Sequence, residues 1–241
     1  EQGLVHVFQK DHGGANNWGL LATLVANNGD YQDQFGHSVA VSTNGTIIAA
    51  GAPWHNGRRG ACYVFRYSGG YSQSQLISDA NGADNDYMGQ SVSISSDGGS
   101  LIVGADGYDQ DLVTNSGCVL VYTQNAGNYE YRSRLTVASP HANDRFGYSM
   151  RLSSNANRLA IGAHLSDVGG VENAGAVFLY QKSGLDFVLT KTLSAPDAEA
   201  AQMFGNDIAM SSDGGIVFAA SYMDDIQAAL DDRGSVYVFR D

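Results

Sequence analysis

The sequence predicts an all-β chain of repeated four-stranded antiparallel sheets, and three observations carry that prediction. The first is a hairpin pattern that recurs four times: FGHSVAVSTNGTIIAAGA from Phe35, MGQSVSISSDGGSLIVGA from Met88, FGYSMRLSSNANRLAIGA from Phe146 and FGNDIAMSSDGGIVFAAS from Phe204. In each copy 15 residues separate the Gly of the opening pair from the residue that opens the closing pair, and a fixed internal spacing is the signature of a repeat protein. The second is an alternating strand that follows a Gly at Gly3, Gly60, Gly117, Gly175 and Gly234, positions 57, 57, 58 and 59 residues apart. The third is composition: 30 Gly, 3 Pro and 13 Tyr in 241 residues suit many short strands joined by tight turns.

Each repeat divides into four strand types. The a strand follows the Phe-Gly pair and alternates, as in Tyr148, Met150 and Leu152 against Ser149, Arg151 and Ser153. It turns through STNG, SSDGG, SSNAN or SSDGG, where Asn-Gly and Asp-Gly supply left-handed positions. The b strand is nearly all apolar (IIAAGA, LIVGA, LAIGA, VFAAS), as expected of a strand covered on both faces. The c strands are GLVHVF, GACYVF, GCVLVY, GAVFLY and GSVYVF, and the d strands WGLLATLV, YSQSQLIS, YEYRSRLTV and FVLTKTLS follow Gly/Asn/Ser-rich turns. Asp33, Asp86, Asp144 and Gln202 stand two residues before the aromatic or Met that opens each hairpin, where a carboxylate is expected to accept backbone N–H groups of the turn that follows. The aromatic is expected to wedge between adjacent sheets, with the Gly after it letting the backbone come close.

Four strands per unit, repeated at nearly constant length, describe the blades of a β-propeller; a solenoid of the same units is the architectural alternative. The units run over about 3–59, 60–116, 117–174 and 175–233 of a single repeat domain, 1–241, with an extra strand at 234–239. The chain begins with c and d and ends with a, b and c, so simple closure would place two c strands in one blade. It is therefore expected to be part of a larger propeller, or of one completed by another molecule through its exposed sheet edges.

Acidic residues outnumber Lys plus Arg by 25 to 13, for a formal charge of -12. That repels a phosphate backbone, excludes nucleic acid as a partner, and favours cationic ligands. No stretch has the roughly 18 apolar residues needed to cross a bilayer, and Glu1 opens no signal peptide. A processed secreted chain and an excised fragment would both look like this.

The repeat resembles the FG-GAP repeat, the blade unit of the integrin alpha-chain amino-terminal propeller and of many secreted or surface proteins. Phe35-Gly36 with Gly51-Ala52-Pro53 gives the motif almost literally. Met88-Gly89 with Gly104-Ala105 and Phe146-Gly147 with Gly162-Ala163 are close, and Phe204-Gly205 with Ala220-Ser221 is degenerate. The resemblance implies an extracellular or cell-surface location and a role in adhesion. It also implies calcium in an acidic DxDxDG-like a–b turn. Here those turns hold at most one carboxylate, Asp97 or Asp213, with Asn44 and Asn155 in the others, too few for an ion that takes six to eight oxygens.

The b–c loops vary in length, and variation confined to one repeated loop marks the face where function is grafted. Candidate cation ligands there are Asp106, Asp109 and Asp111, in D-x-x-D-x-D beside Asn115, and Asp224 and Asp225 in the fourth loop. Calcium is the cofactor these would take. Trp54, His55, Arg58 and Arg59 make a basic and aromatic patch in the first loop, suited to a sugar face or a carboxylate. Asn44 opens the sequon Asn44-Gly45-Thr46 and is a glycosylation candidate, which would make the chain a glycoprotein. Cys62 and Cys118, at neighbouring positions of successive c strands, would form either an inter-blade disulfide or two buried thiols. HExxH, GxSxG, P-loop and dinucleotide patterns are absent. The sequence reading is thus a non-enzymatic structural or adhesion propeller that binds other proteins or copies of itself. A carbohydrate-binding propeller is the alternative, and an enzyme domain is the third.

Overall fold

The computed structural model describes residues 2–224 and 233–241. Among the described residues, seventeen strands form five antiparallel sheets. The first sheet holds only β1 (Val5–Lys10) and β2 (Trp18–Leu24), a c–d pair. Three complete blades follow in a-b-c-d order: β3 (Val39–Val41), β4 (Ile47–Ala52), β5 (Ala61–Tyr67) and β6 (Tyr71–Ile77); then β7 (Val92–Ile94), β8 (Ser100–Ala105), β9 (Cys118–Asn125) and β10 (Asn128–Leu135); then β11 (Ser149–Leu152), β12 (Arg158–Ala163), β13 (Ala176–Ser183) and β14 (Asp186–Leu193). The last sheet, β15 (Ile208–Met210), β16 (Ile216–Ser221) and β17 (Ser235–Arg240), is an a-b-c set. The all-β, four-stranded blade architecture expected from the repeat is therefore present.

The short a strands of successive sheets are neighbours, β3 beside β7, β7 beside β11 and β11 beside β15, so they form the inner edge from which the blades radiate. The b strands are the centre of the core: β4 and β8 are buried along their whole length and β12 over all but its first residue. Every c–d pair carries a register shift at the same place, between Val7 and Phe8, Val64 and Phe65, Tyr131 and Ser133, and Leu179 and Tyr180. A bulge at a fixed position increases local twist, and its recurrence gives each blade the same outer curl.

Between successive sheets lies one apolar layer. Ile102, Val119 and Val121 on one face of the second full blade meet Phe146, Met150, Leu159 and Ile161 of the next. Cys62 and Val64 meet Val92, Leu101 and Cys118 in the same way. Burying each such aliphatic side chain is worth about 1.5–3 kcal/mol. The Phe-Gly aromatics lie in these layers as expected. Phe35 packs edge-on to Tyr63 at 5.4 Å, Phe146 to Phe178 at 5.3 Å and Phe204 to Tyr237 at 5.5 Å, centroid to centroid.

The glycines of the motif have a sharper purpose than close packing in general. The Ser38 hydroxyl donates to the Gly89 carbonyl of the next blade at 2.7 Å, Ser91 to Gly147 at 2.7 Å and Ser149 to Gly205 at 2.6 Å. That carbonyl passes directly over Gly51, Gly104 and Gly162, where a Cβ would overlap its oxygen. Each junction is thus a latch, in which a Ser of one blade grips the Phe-Gly or Met-Gly turn of the next and a Gly leaves room for it.

Candidate functional site

The d–a connections, which end at the Phe-Gly pairs, and the b–c loops share one end of the blades. Asp33, Asp86 and Asp144 are buried there. Each carboxylate accepts the backbone N–H three residues earlier: Asp33 from Asp30, Asp86 from Ala83 and Asp144 from His141, all at 2.7 Å. The turn they close is the preceding one, not the following one that the sequence suggested. Beyond their own turns, the first and last of these residues tie to the b–c loop through their side chains. His55 Nδ1–H donates to Asp33 at 2.7 Å. Burial raises the Asp144 pKa, and the backbone N–H and charge of His141 oppose it. In the last repeat the polarity is reversed, and the Gln202 amide donates to Asp224 at 2.7 Å.

These ties determine where the sequence-nominated residues go. In the first b–c loop His55 is held by Asp33, Arg59 pairs with Asp84 at 2.8 Å, and the Arg58 guanidinium lies over the Trp54 ring at 4.7 Å. The patch is therefore largely paired within the fold, with Arg58 exposed. Its backbone is tightly wound, since Asn56, Gly57 and Arg58 all have positive φ.

The acidic candidates are not gathered into one site. Asp106 is buried and pairs with Arg145 at 3.4 Å. Asp109 accepts the Asn115 N–H at 2.7 Å. Asp111 sits at an exposed turn tip beside Leu112, which is 96% exposed. Asp224 is buried between the Gln202 amide and the Tyr237 hydroxyl, which donates at 2.9 Å. Asp225 lies outside the described residues. Among the described residues no three His, Cys, Asp or Glu side chains make a metal cluster. The a–b turns do not fit calcium either: Asp97 Oδ1 accepts the Ser95 hydroxyl at 2.6 Å and the Gly99 N–H at 2.8 Å, and these bonds hold the Asp97 carboxyl below its usual pKa.

Asn44 is exposed, and its side-chain oxygen accepts the Thr46 N–H at 3.0 Å and the Thr46 hydroxyl at 2.8 Å. Cys62 and Cys118 lie unbridged in one apolar layer, and burial pushes the Cys62 thiol up to about 12.

One polar group escaped the sequence reading. Behind the inner edge, Tyr148 stacks on His164 with ring centroids 4.0 Å apart, and Arg145 reaches Asp106 across 39 residues of sequence. Burial raises Asp106 to about 6 against the pull of Arg145, and burial with the Arg145 charge lowers His164 to about 4. Asp106 Oδ1 and His164 Nδ1 are buried without a partner among the described residues. At the starts of the four a strands lies an open pocket of about 270 Å³, lined by His37, Gln90, Tyr148, Arg151, Asn206 and Asp207. Only the recurrence of polar residues just after each Phe-Gly or Met-Gly pair hinted at it. One histidine–hydroxyl pair exists among the described residues, His6 with Thr23 at 3.0 Å, and it is exposed on β1–β2.

The FG-GAP repeat pattern matches residues 18–65, 71–122 and 187–239, more than half of the sequence. The chain belongs to the FG-GAP repeat family. No curated protein matches this FG-GAP chain. Among solved structures it is similar to Chaetomium thermophilum Sqt1 bound to the N-terminus of a ribosomal protein (16% identity, TM-score 0.61, 92% of this chain and 52% of that one). Kuenenia stuttgartiensis hydrazine synthase (14%, 0.60, 92% and 62%) and Saccharomyces cerevisiae Sqt1 (15%, 0.52, 81% and 45%) are also similar. At such identities the likeness is one of fold alone. The FG-GAP chain spans roughly half the length of these structures.

Proposed function

We propose that this FG-GAP chain is a non-enzymatic, extracellular or cell-surface propeller that binds other proteins through its b–c loop face. The observation that carries the reading is the contrast between the uniform ends of the b strands and the loops leaving them. From equivalent positions rise a stacked Trp54–Arg58 pair, an exposed Leu112 on the Asp111–Leu112 turn, and a tight Val168–Val171 turn. Different side chains on a shared rigid frame are how a scaffold recognises a partner. The likeness to Sqt1, solved in complex with a ribosomal-protein N-terminus, supports polypeptide as the ligand class. Arg58 covers one face of Trp54, which leaves less aromatic surface for a sugar ring.

The test is binding of the labelled chain to cells, before and after surface proteolysis or deglycosylation. Protease-sensitive binding that falls at least tenfold in the Arg58→Glu, Leu112→Asp double variant is expected. Binding that resists protease and is lost on deglycosylation would replace this reading with the carbohydrate one.

A further inference from the structure

The four a–b turns are built alike. In each, a Ser hydroxyl donates to Oδ1 of the Asn or Asp two residues on: Ser42 to Asn44 at 2.9 Å, Ser95 to Asp97 at 2.6 Å, Ser153 to Asn155 at 2.9 Å and Ser211 to Asp213 at 2.6 Å. The same Oδ1 accepts a backbone N–H from two residues further, at 3.0 Å from Thr46, 2.8 Å from Gly99, 3.0 Å from Asn157 and 2.9 Å from Gly215. Every one of these bonds goes to Oδ1; among the described residues the other terminal atom, Nδ2 of the Asn or Oδ2 of the Asp, takes no part in holding the turn. Asn and Asp therefore interchange along the column, because the turn needs only the acceptor oxygen that both residues offer.

Asn44, Asp97, Asn155 and Asp213 are all exposed. Asp97 and Asn155 have a complete four-stranded sheet in front of them and are exposed nonetheless, so the exposure belongs to the turn and not to the sheet that precedes it. The turns are also fixed from behind. The Tyr71 hydroxyl donates to the Gly45 carbonyl and the Tyr129 hydroxyl to Gly98, while backbone bonds join successive turns, from Thr43 to Ser96 at 3.0 Å, Ser96 to Ser154 at 2.9 Å and Ser154 to Ser212 at 2.8 Å. A group attached at the free terminal atom would leave this rigid frame for solvent and displace none of its bonds. What sets the first turn apart is Thr46: Asn44-Gly45-Thr46 is a sequon, whereas Asn155 is followed by Ala156 and Asn157, and the second and fourth turns carry Asp. The Thr46 hydroxyl also donates to Asn44 Oδ1, at 2.8 Å, and leaves Nδ2 free.

We propose that Asn44 is an N-glycosylation site, with Nδ2 carrying an oligosaccharide at the end of the blades opposite the loop face. The co-reactant is a lipid-linked oligosaccharide pyrophosphate. A bond forms between Nδ2 and the anomeric carbon of the first sugar, the bond from that carbon to the pyrophosphate oxygen breaks, the lipid pyrophosphate leaves, and Nδ2 gives up one proton; nothing is oxidised or reduced. The b strand Ile47–Ala52 separates the modified turn from the first b–c loop, about 20 Å at the rise of an extended chain, so the glycan leaves Trp54 and Arg58 clear. The proposal rests on the extracellular part of the proposed function, because this transfer takes place on secreted chains.

The test expresses the full chain behind a secretory leader in a eukaryotic host and digests the secreted product with a peptide-N-glycosidase in heavy-oxygen water. A single mobility shift is expected, with peptide mass spectrometry finding Asn44 converted to a heavy-oxygen-labelled aspartate. Thr46→Ser should keep the shift, and Asn44→Asp, which retains the Oδ1 acceptor, should lose it with the fold intact. Asn157→Thr, which completes the same pattern in the third turn, should add a second shift. Digestion should leave Tm unchanged, since the aspartate it produces is the residue of the second and fourth turns. A secreted chain without the label at residue 44 would overturn the proposal. A single shift in Asn157→Thr at unchanged Tm would overturn the argument from the turn. Because the leader sets the compartment, these outcomes bear on Asn44 itself. A labelled leader-directed chain beside an unlabelled native one would support the site and overturn the extracellular reading, and cell binding that Arg58→Glu with Leu112→Asp fails to weaken would overturn the loop-face reading alone.

Discussion

The junction between the second and third complete blades and the junction in front of β3 are built from the same residue types, yet only the first is closed. Behind Met150 stand Ile102 and the Ser91 latch onto Gly147; Val39 lines an open groove, and among the described residues no Ser hydroxyl reaches the Gly36 carbonyl. The difference teaches that a blade of this repeat is not a self-sufficient unit. Its a strand is stabilised by the sheet before it, and its Phe-Gly carbonyl is satisfied by that sheet's hydroxyl. Stability should therefore follow nearest-neighbour contacts along the repeat, as in other quasi-one-dimensional proteins.

Substitutions at closed junctions should cost far more than equivalent ones at the open groove. The largest loss is expected for Phe146→Ala, which removes a fully buried ring and should cost about 3–5 kcal/mol in chemical denaturation, whereas Val39→Ala should change stability by less than about 1 kcal/mol. Next is Gly104→Ala, whose Cβ would overlap the Gly147 carbonyl oxygen; a loss of about 1–3 kcal/mol is expected, together with faster exchange across that junction alone.

The third prediction concerns pH. Burial raises the Asp106 pKa from 3.8 to about 6, so the stability it contributes is present below its unfolded value and lost as pH rises through about 6. Asp106→Asn should therefore gain on the unaltered chain by on the order of 1–2 kcal/mol between pH 5 and pH 7.5, measured by thermal melts at both. His164 has the opposite sign: its pKa is lowered from 6.5 to about 4, so its contribution is present above 6.5 and lost as pH falls through about 4. The smallest effect is expected for Ser91→Ala, which loses one half-buried bond to Gly147 for about 1 kcal/mol.

The blade architecture was legible because it is written in periodicity: the alternation of the c strands, the apolar b strands and the Asn-Gly or Asp-Gly turns each act over a few residues. The site was much less so, since its decisive contacts are long-range. Asp106 looks like a cation ligand in D-x-x-D-x-D until Arg145 is placed beside it from the next blade. His55 looks like part of a basic patch until Asp33 is found to hold it. The exchange of Asp33–His55 for Gln202–Asp224 is a reversal of donor and acceptor that no single position reveals. The Ser latch could have been noticed as a column, Ser38, Ser91 and Ser149, but its acceptor lies one blade away.

The most direct test is a matched pair, Val92→Asp and Val39→Asp, the same change at equivalent positions of β7 and β3, each followed by equilibrium denaturation. Val92 is 3% and Val39 53% exposed, so burying a carboxylate at the first should cost several kcal/mol, on the order of 3–5, and at the second less than about 1 kcal/mol. Equal losses at the two positions would contradict the account, because β3 would then be covered just as β7 is.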